Sequence, residues 1–268
     1  MIALLKIVLR NIIFLTKGEG LSVMSKVKLK LTKRFQEGEI NLYKRKFKFS
    51  DSSSFVSMYE EIFIKGIYKF KSQKENPVIL DCGSNVGLSV INFKKQFPKA
   101  KITAFEPDVK IYESLVANIN AQGFSEVEAV NKAVWIHNDK ITFQVQGGLS
   151  GSIAETSIDS ASQTIEIPCI RLADLLDKEI DFLKIDIEGA EFKVIQDCKD
   201  KLKNVKLLFV EYHSFEQKPQ VLDQLLELLS AAGFRYHIQE AYSSPQPFMK
   251  VEALLGMDLQ LNIFCYRT

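Results

Sequence analysis

The stretch Asp81-Cys82-Gly83-Ser84-Asn85-Val86-Gly87 places an acid, two glycines and an asparagine directly after an apolar run. Glycines at such a turn let the backbone bend tightly and let a ligand come within contact distance, because no Cβ intervenes. The spacing departs from GxGxxG, with Asn85 in place of the second glycine and Gly87 one residue early. A dinucleotide seats its pyrophosphate on the following helix N-terminus, whereas an acid at Asp81 and an amide at Asn85 suit a ligand bearing an ammonium group and no phosphates. Glu106 stands about 20 residues beyond this turn, where an acid can accept hydrogen bonds from both hydroxyls of an adenosine ribose.

Two later stretches carry the groups suited to proton chemistry. Lys184-Ile185-Asp186-Ile187-Glu188-Gly189-Ala190-Glu191 holds three acids, and Glu211-Tyr212-His213 closes a further apolar run. Asp186 is costly at a buried strand tip unless paired, hydrogen-bonded or bound to a ligand. Glu191 reads equally as a helix-start residue. His213 is one of only three histidines and closes a strand run beside these acids, which makes it the candidate general base. Asp186 with Glu188 or Glu211 could instead hold a divalent cation that polarises a substrate, hard oxygen ligands that suit Mg²⁺. His137 and His237 fall outside the expected cleft.

For these residues to converge, strands must end where they stand. After Pro77 apolar runs alternate with helical patterns: strand VILD, helix 88–97, strand KITAFE, helix 108–121, strand VEAVNKAV, and a less regular section to Pro168. A short helix near 172–176, strand DFLKID, helix 190–198, strand KLLFVEYH, helix 220–232 and two closing strands near Phe234 and Leu259 follow. Alternation of this kind specifies an α/β fold, a mostly parallel sheet with helices on both faces, and ligands of such sheets sit beyond the carboxyl ends of the strands. Asp81, Glu106, Asp186 and Glu211 all fall at strand ends. Pro107 fixes φ and Asp108 favours the first turn, so together they start the next helix. The glycine-rich 147–153 and Ser-rich 150–163 stretches read as loops, the first able to fold over a ligand.

The chain resembles the FkbM family of S-adenosylmethionine-dependent methyltransferases over roughly Pro77 to His213. The matching pieces are DCGSNVG at 81–87, FEPD at 105–108, NKAVW at 131–135 and FLKIDIEGAE at 182–191. The resemblance implies the Rossmann-like class I fold with a seven-stranded sheet, bound S-adenosylmethionine, and O-methylation of a sugar or polyketide-type hydroxyl. It implies that Gly83 and Asn85 line the methionine side of the cofactor, that Glu106 binds the ribose, and that Asn131 to Val134, Ala133 among them, lie near the adenine. Asp81, Gly87 and Pro107 belong to the same cofactor-binding set, to which Asp186 also contributes. An NAD-dependent oxidoreductase would also use a glycine turn and Glu106, but the spacing is wrong and KIDIEGAE would have no task. N-methylation and a non-catalytic cofactor-binding scaffold are the nearer alternatives.

Residues 1–76 fall outside the resemblance and read as an N-terminal extension, a lid or dimer contact, ahead of a catalytic domain at 77–268. INLYKRKFKFSD at 40–51 alternates like a half-exposed strand or hairpin, and Ser53 and Ser54 precede a helical run. Ile2 to Leu15 is an amphipathic helix candidate, too short for a bilayer span of roughly 20 residues. It is expected to pack on the domain or on a second copy in a homodimer, with peripheral membrane contact as the alternative. The net charge of +2, from 35 basic and 33 acidic residues, gives no field to attract nucleic acid. Four scattered cysteines without a CxxC pair fit a reduced, cytoplasmic setting. Tyr212, Tyr242 and Phe248 are candidate stacking partners for an acceptor ring.

Overall fold

The computed structural model describes residues 11–146, 150–153 and 164–267. Its frame is a seven-stranded sheet built from β3 (Val78–Cys82), β4 (Lys101–Phe105), β5 (Val127–Val130), β10 (Ile180–Ile185), β11 (Val205–Phe215), β12 (Arg235–Ser243) and β13 (Met257–Tyr266). The order across the sheet is β12-β13-β11-β10-β3-β4-β5. Pairing is parallel from β11 to β5, and β13 runs antiparallel to both β11 and β12. The central strands are buried on both faces, which is why VILDC and IDFLKI read as nearly continuous apolar runs.

The helices α3 (Leu88–Gln96), α4 (Val109–Gln122), α5 (Leu172–Leu175), α6 (Glu191–Asp197) and α7 (Leu222–Ala231) lie within a few residues of their expected positions. Asp108 caps α4 by accepting from the N–H groups of Lys110 and Ile111 at 2.9 and 3.0 Å. The stretch VEAVNKAV is not one strand. It breaks at Asn131, and β6 (Ala133–Trp135) leaves for a second sheet of order β6-β9-β7-β8, with β7 at Lys140–Gln146, β8 at Ser150–Ile153 and β9 at Thr164–Arg171. Part of the section expected to be loop is therefore paired strand: Ser150 to Ile153 lie antiparallel to β7. Residues 147–149 and 154–163 lie outside the described residues, as do residues 2–10 of the amphipathic helix expected from Ile2 to Leu15; residues 11–16 are helical.

Before Pro77 come α1 (Val23–Leu31), the hairpin β1 (Gly38–Leu42) and β2 (Arg45–Phe49), and α2 (Ser52–Tyr59), which continues as a π-helical turn over Glu60–Lys65. Tyr43 and Lys44 both have positive φ, 52° and 64°, as a two-residue hairpin turn requires. Asp51 caps α2, accepting from the Ser54 N–H at 2.8 Å, and Ser53 and Ser54 lie within its first turn rather than before it. This leading segment shares a core with the sheet. Phe14, Phe47, Phe55 and Tyr59 lie in one buried cluster with Phe93, Phe182 and Phe209. No helix among the described residues is long and apolar enough to cross a membrane.

Candidate active site

Register decides which side chains meet. Cys82 pairs with Phe105 on one side and Ile185 on the other, and Ile185 pairs with Val210. The residues that follow, Gly83, Glu106, Asp186 and Glu211, therefore stand abreast, the first three just past their strands and Glu211, expected at a strand end, still inside β11 and paired with Asn262 of β13. All four line one cavity of about 1010 Å³, together with Asn85, Pro107, Ala133, Glu188 and His213.

The cofactor side of this cavity is shaped by the turn after β3. Gly83 has φ of 83°, and a Cβ there would overlap the Asp186 carbonyl oxygen, so only glycine lets the tips of β3 and β10 approach. Asn85 also adopts positive φ, 49°, and its N–H donates to Glu106 Oε2 at 3.0 Å. The other carboxylate oxygen of Glu106 accepts from the Asp108 N–H at 2.9 Å. Burial pushes the Glu106 carboxyl up to about 8.

Asp81, Gly87 and Asn131, expected at the cofactor, do not line the cavity. Asp81 is fully buried beneath it. Its Oδ2 accepts from Ser89 Oγ at 2.5 Å and its Oδ1 lies 3.3 Å from Lys184 Nζ, so the charge is met inside the protein rather than offered to a ligand. Gly87 has φ of 91° at the start of α3, and a Cβ there would meet Leu115 at 2.7 Å. Asn131 donates to the carbonyls of Glu106 and Pro107 at 2.9 and 3.1 Å, bracing the turn that carries Glu106.

The opposite wall is a nest of acids around one imidazole. His213 Nδ1 meets Glu191 Oε1 at 2.9 Å, while Nε2 lies 4.0 Å from Asp186 Oδ1 and 3.9 Å from both Glu188 Oε2 and Glu211 Oε1. Burial works against charge on the ring, and the neighbouring carboxylates outweigh it, with Glu191 foremost, so the pKa of His213 rises well above 6.5. Burial raises Glu211 well above the ordinary carboxylate value. One ligand atom each from Asp186, Glu211 and His213 lies within 4.8 Å of the others, a spacing that could hold a cation; Glu188, expected among the metal ligands, is not in that set. Gln260 donates its amide to Glu211.

Of the aromatic candidates, Tyr242 lines the cavity, whereas the Tyr212 hydroxyl accepts from the Val221 N–H and Phe248 stands fully in solvent. His137 and His237 do not line the cavity.

Residues 81–236, more than half of the chain, match the model of the methyltransferase FkbM domain. The chain belongs to the FkbM methyltransferase family. It is 25% identical over 231 residues to the methyltransferase sdnD of Sordaria araneosa, covering 73% of this chain and 88% of that one. It is 28% identical over 163 residues to the 2-O-methyltransferase NoeI of Sinorhizobium fredii, covering 54% of this chain and 66% of NoeI. Among solved structures it is similar to the FkbM methyltransferase of Methylobacillus flagellatus, with 15% identity and a TM-score of 0.47, over 72% of this chain and 45% of that one.

Two residues of this FkbM site escaped the sequence reading. Lys184, fully buried, bridges Asp81 and Asp186, at 3.3 and 3.1 Å, and donates to the Gly83 carbonyl at 2.8 Å. A lysine inside a run of apolar strand residues was the available signal, since such a charge needs partners. Glu191 read equally as a helix-start residue and as part of the reaction edge, with nothing to single it out as the partner of His213. It is 1% exposed and also accepts from the N–H groups of Ile187 and Gly189, which fixes the carboxylate that faces His213.

Proposed function

We propose that the protein is an S-adenosylmethionine-dependent O-methyltransferase acting on a hydroxyl of a small molecule, of sugar or polyketide type. The observation that carries this is the sharing of one cavity by the Gly83–Asn85 turn and Glu106 with Asp186, Glu211 and His213. The likeness to NoeI, a 2-O-methyltransferase, supports oxygen as the accepting atom.

The residues fit the cofactor. Gly83 lets the tips of β3 and β10 close together at the cavity wall, Asn85 and Pro107 line the cavity beside it, and the Glu106 carboxylate lines it where ribose hydroxyls would donate. Asp81, Gly87 and Asn131 serve this site by holding the turns that form it. S-adenosylmethionine, when bound, supplies an electrophilic methyl group on its sulfonium. The protein's part is to hold the acceptor oxygen in line with that carbon and to exclude water, which alone contributes several kcal/mol, on the order of 7 to 11 in the best-aligned systems.

An alcohol is a poor nucleophile until its proton leaves. Asp186, Glu211 and His213 act as one proton-accepting unit, with Glu191 orienting the imidazole. Because the carboxylates hold a proton on His213, the ring must lose it before it can serve as a base, and turnover should rise toward alkaline pH. A second reading follows from the spacing of the same three residues: a divalent cation such as Mg²⁺ held there would polarise the hydroxyl. The four buried, unpaired cysteines support a reducing, cytoplasmic compartment.

Mass spectrometry of the protein incubated with methyl-labelled cofactor and a panel of glycosides and polyketides tests the proposal. Label is expected on an acceptor oxygen, and His213→Ala should slow transfer by about 10² to 10⁴. Label on nitrogen, or none on any acceptor, would refute O-methylation. Turnover that survives a strong chelator would eliminate the cation reading.

A further inference from the structure

The cavity accounts for neither the outer face of α1 nor the charge around it. On α1, Val23, Met24, Val27 and Leu31 form a single helical stripe, and they are 62%, 78%, 37% and 79% exposed. Leu29 and Lys26 point the other way, into the protein. By helical spacing Lys28 and Lys30 flank the apolar stripe on either side. Just beyond the helix lie Lys33 and Arg34, with the Arg34 guanidinium 4.8 Å from the centre of the exposed Phe35 ring.

Charge is distributed to match. Residues 11–50 contain ten lysines and arginines against three glutamates, although the whole chain is nearly balanced, with 35 basic and 33 acidic residues. The rest of the chain is accordingly net acidic. The hairpin beside α1 adds Lys44, Lys46 and Lys48, all exposed. Lys28 Nζ donates to the Glu39 carbonyl at 3.0 Å, which ties the helix to that hairpin.

We propose that this face docks on an anionic lipid bilayer, with the α1 stripe and Phe35 entering the interface and the flanking basic groups meeting lipid headgroups. An apolar stripe edged with lysine suits a negatively charged surface that is also apolar beneath its headgroups. A second copy of the chain is a poor occupant. A two-fold contact would set this patch against itself and bring Lys28, Lys30, Lys33 and Arg34 against their own counterparts.

Docking would also bring the site near the lipid. Lys26, on the inner side of α1, donates to the carbonyls of Leu15 and Lys17 at 3.4 and 2.5 Å, and Ile13 and Lys17 line the cavity. An acceptor drawn from the bilayer interface would thus enter beside the docked helix. This consequence rests on the methyl-transfer reading, whereas the docking itself does not.

Co-sedimentation of the full chain with vesicles separates the two. Binding to phosphatidylcholine vesicles containing phosphatidylglycerol should exceed binding to phosphatidylcholine alone by about tenfold or more, since each basic group near an anionic surface contributes about fivefold. Met24→Ser/Leu31→Ser and Lys33→Glu/Arg34→Glu should each reduce that binding by about tenfold while melting like the wild type. Equal binding to both vesicle types, no binding, or full binding by either variant would overturn the proposal. So would sedimentation equilibrium showing a dimer that Met24→Ser/Leu31→Ser dissociates, because a second copy would then cover the stripe. None of these readouts depends on methyl transfer.

Discussion

Lys184 and Glu106 show how single side chains hold this site in two different ways. Lys184 neutralises Asp81, both of them buried from solvent, and breaking a buried pair from one side costs about 3 to 5 kcal/mol because the remaining charge is left uncompensated. Lys184→Met should lower the unfolding free energy by about that amount in a denaturant titration, and adding Asp81→Asn should restore much of it. An unchanged midpoint would show that the pair carries no weight. For Glu106 the pH dependence has a definite sign. Burial, with Asp108 adding to it, raises the carboxyl to about 8 from 4.5, against the Asp108 and Asn85 N–H groups and Lys184, which favour its charged form. The folded protein therefore keeps a proton that the unfolded chain releases, so this stabilising contribution is complete below about 4.5 and is lost as pH rises through about 8. Ribose hydroxyls donate best to the ionised carboxylate, so cofactor binding should expel that proton. Affinity should strengthen by up to about tenfold per pH unit toward the alkaline end of this window, and Glu106→Gln should flatten the profile. A pH-independent wild-type affinity in calorimetry would contradict that role.

At the scale of elements, the strands and helices that carry the motifs were legible because each shows one period. VILD and DFLKID are short, mostly apolar runs that end in acids, and α4 opens on Pro107-Asp108. The second sheet was not legible. β6 has three residues and follows β5 after only Asn131 and Lys132, so the two strands read as one, and the switch between sheets leaves no mark in hydropathy. Glu106 and Asp186 were readable as strand ends, whereas Glu211 lies inside β11, and the burial of Asp81 and the partners of Lys184 depend on the register of β3 with β10. One inter-element clamp lends itself to a test. Asn118 of α4 donates to the carbonyls of Lys48 and Val86 at 2.9 and 2.8 Å and accepts from the Lys48 N–H at 2.7 Å, joining the hairpin to the turn before α3. Asn118→Ala would leave these buried groups without partners and should lower stability by about 2 kcal/mol or more in thermal unfolding. A loss below about 0.5 kcal/mol would show that the clamp is replaced by solvent.

At the scale of the molecule, the leading segment and the parallel sheet share one aromatic core, with Tyr68 packed edge-on against Phe209 at 4.9 Å and Phe70 against Phe182 at 4.8 Å. That packing sets residues from before Pro77, Ile62 and Tyr68 among them, into the wall of the same cavity that the strand tips close from below. The account as a whole depends on those tips forming one binding site for a sulfonium nucleoside. Calorimetric titration of S-adenosylmethionine into the wild type and into Gly83→Ala tests this most directly. The prediction is saturable binding of one cofactor per chain to the wild type and a loss of about a hundredfold or more in a Gly83→Ala variant that remains folded, since the added methyl must force apart the tips of β3 and β10. Absence of heat with the wild type, or equal affinity in the two proteins, would contradict it.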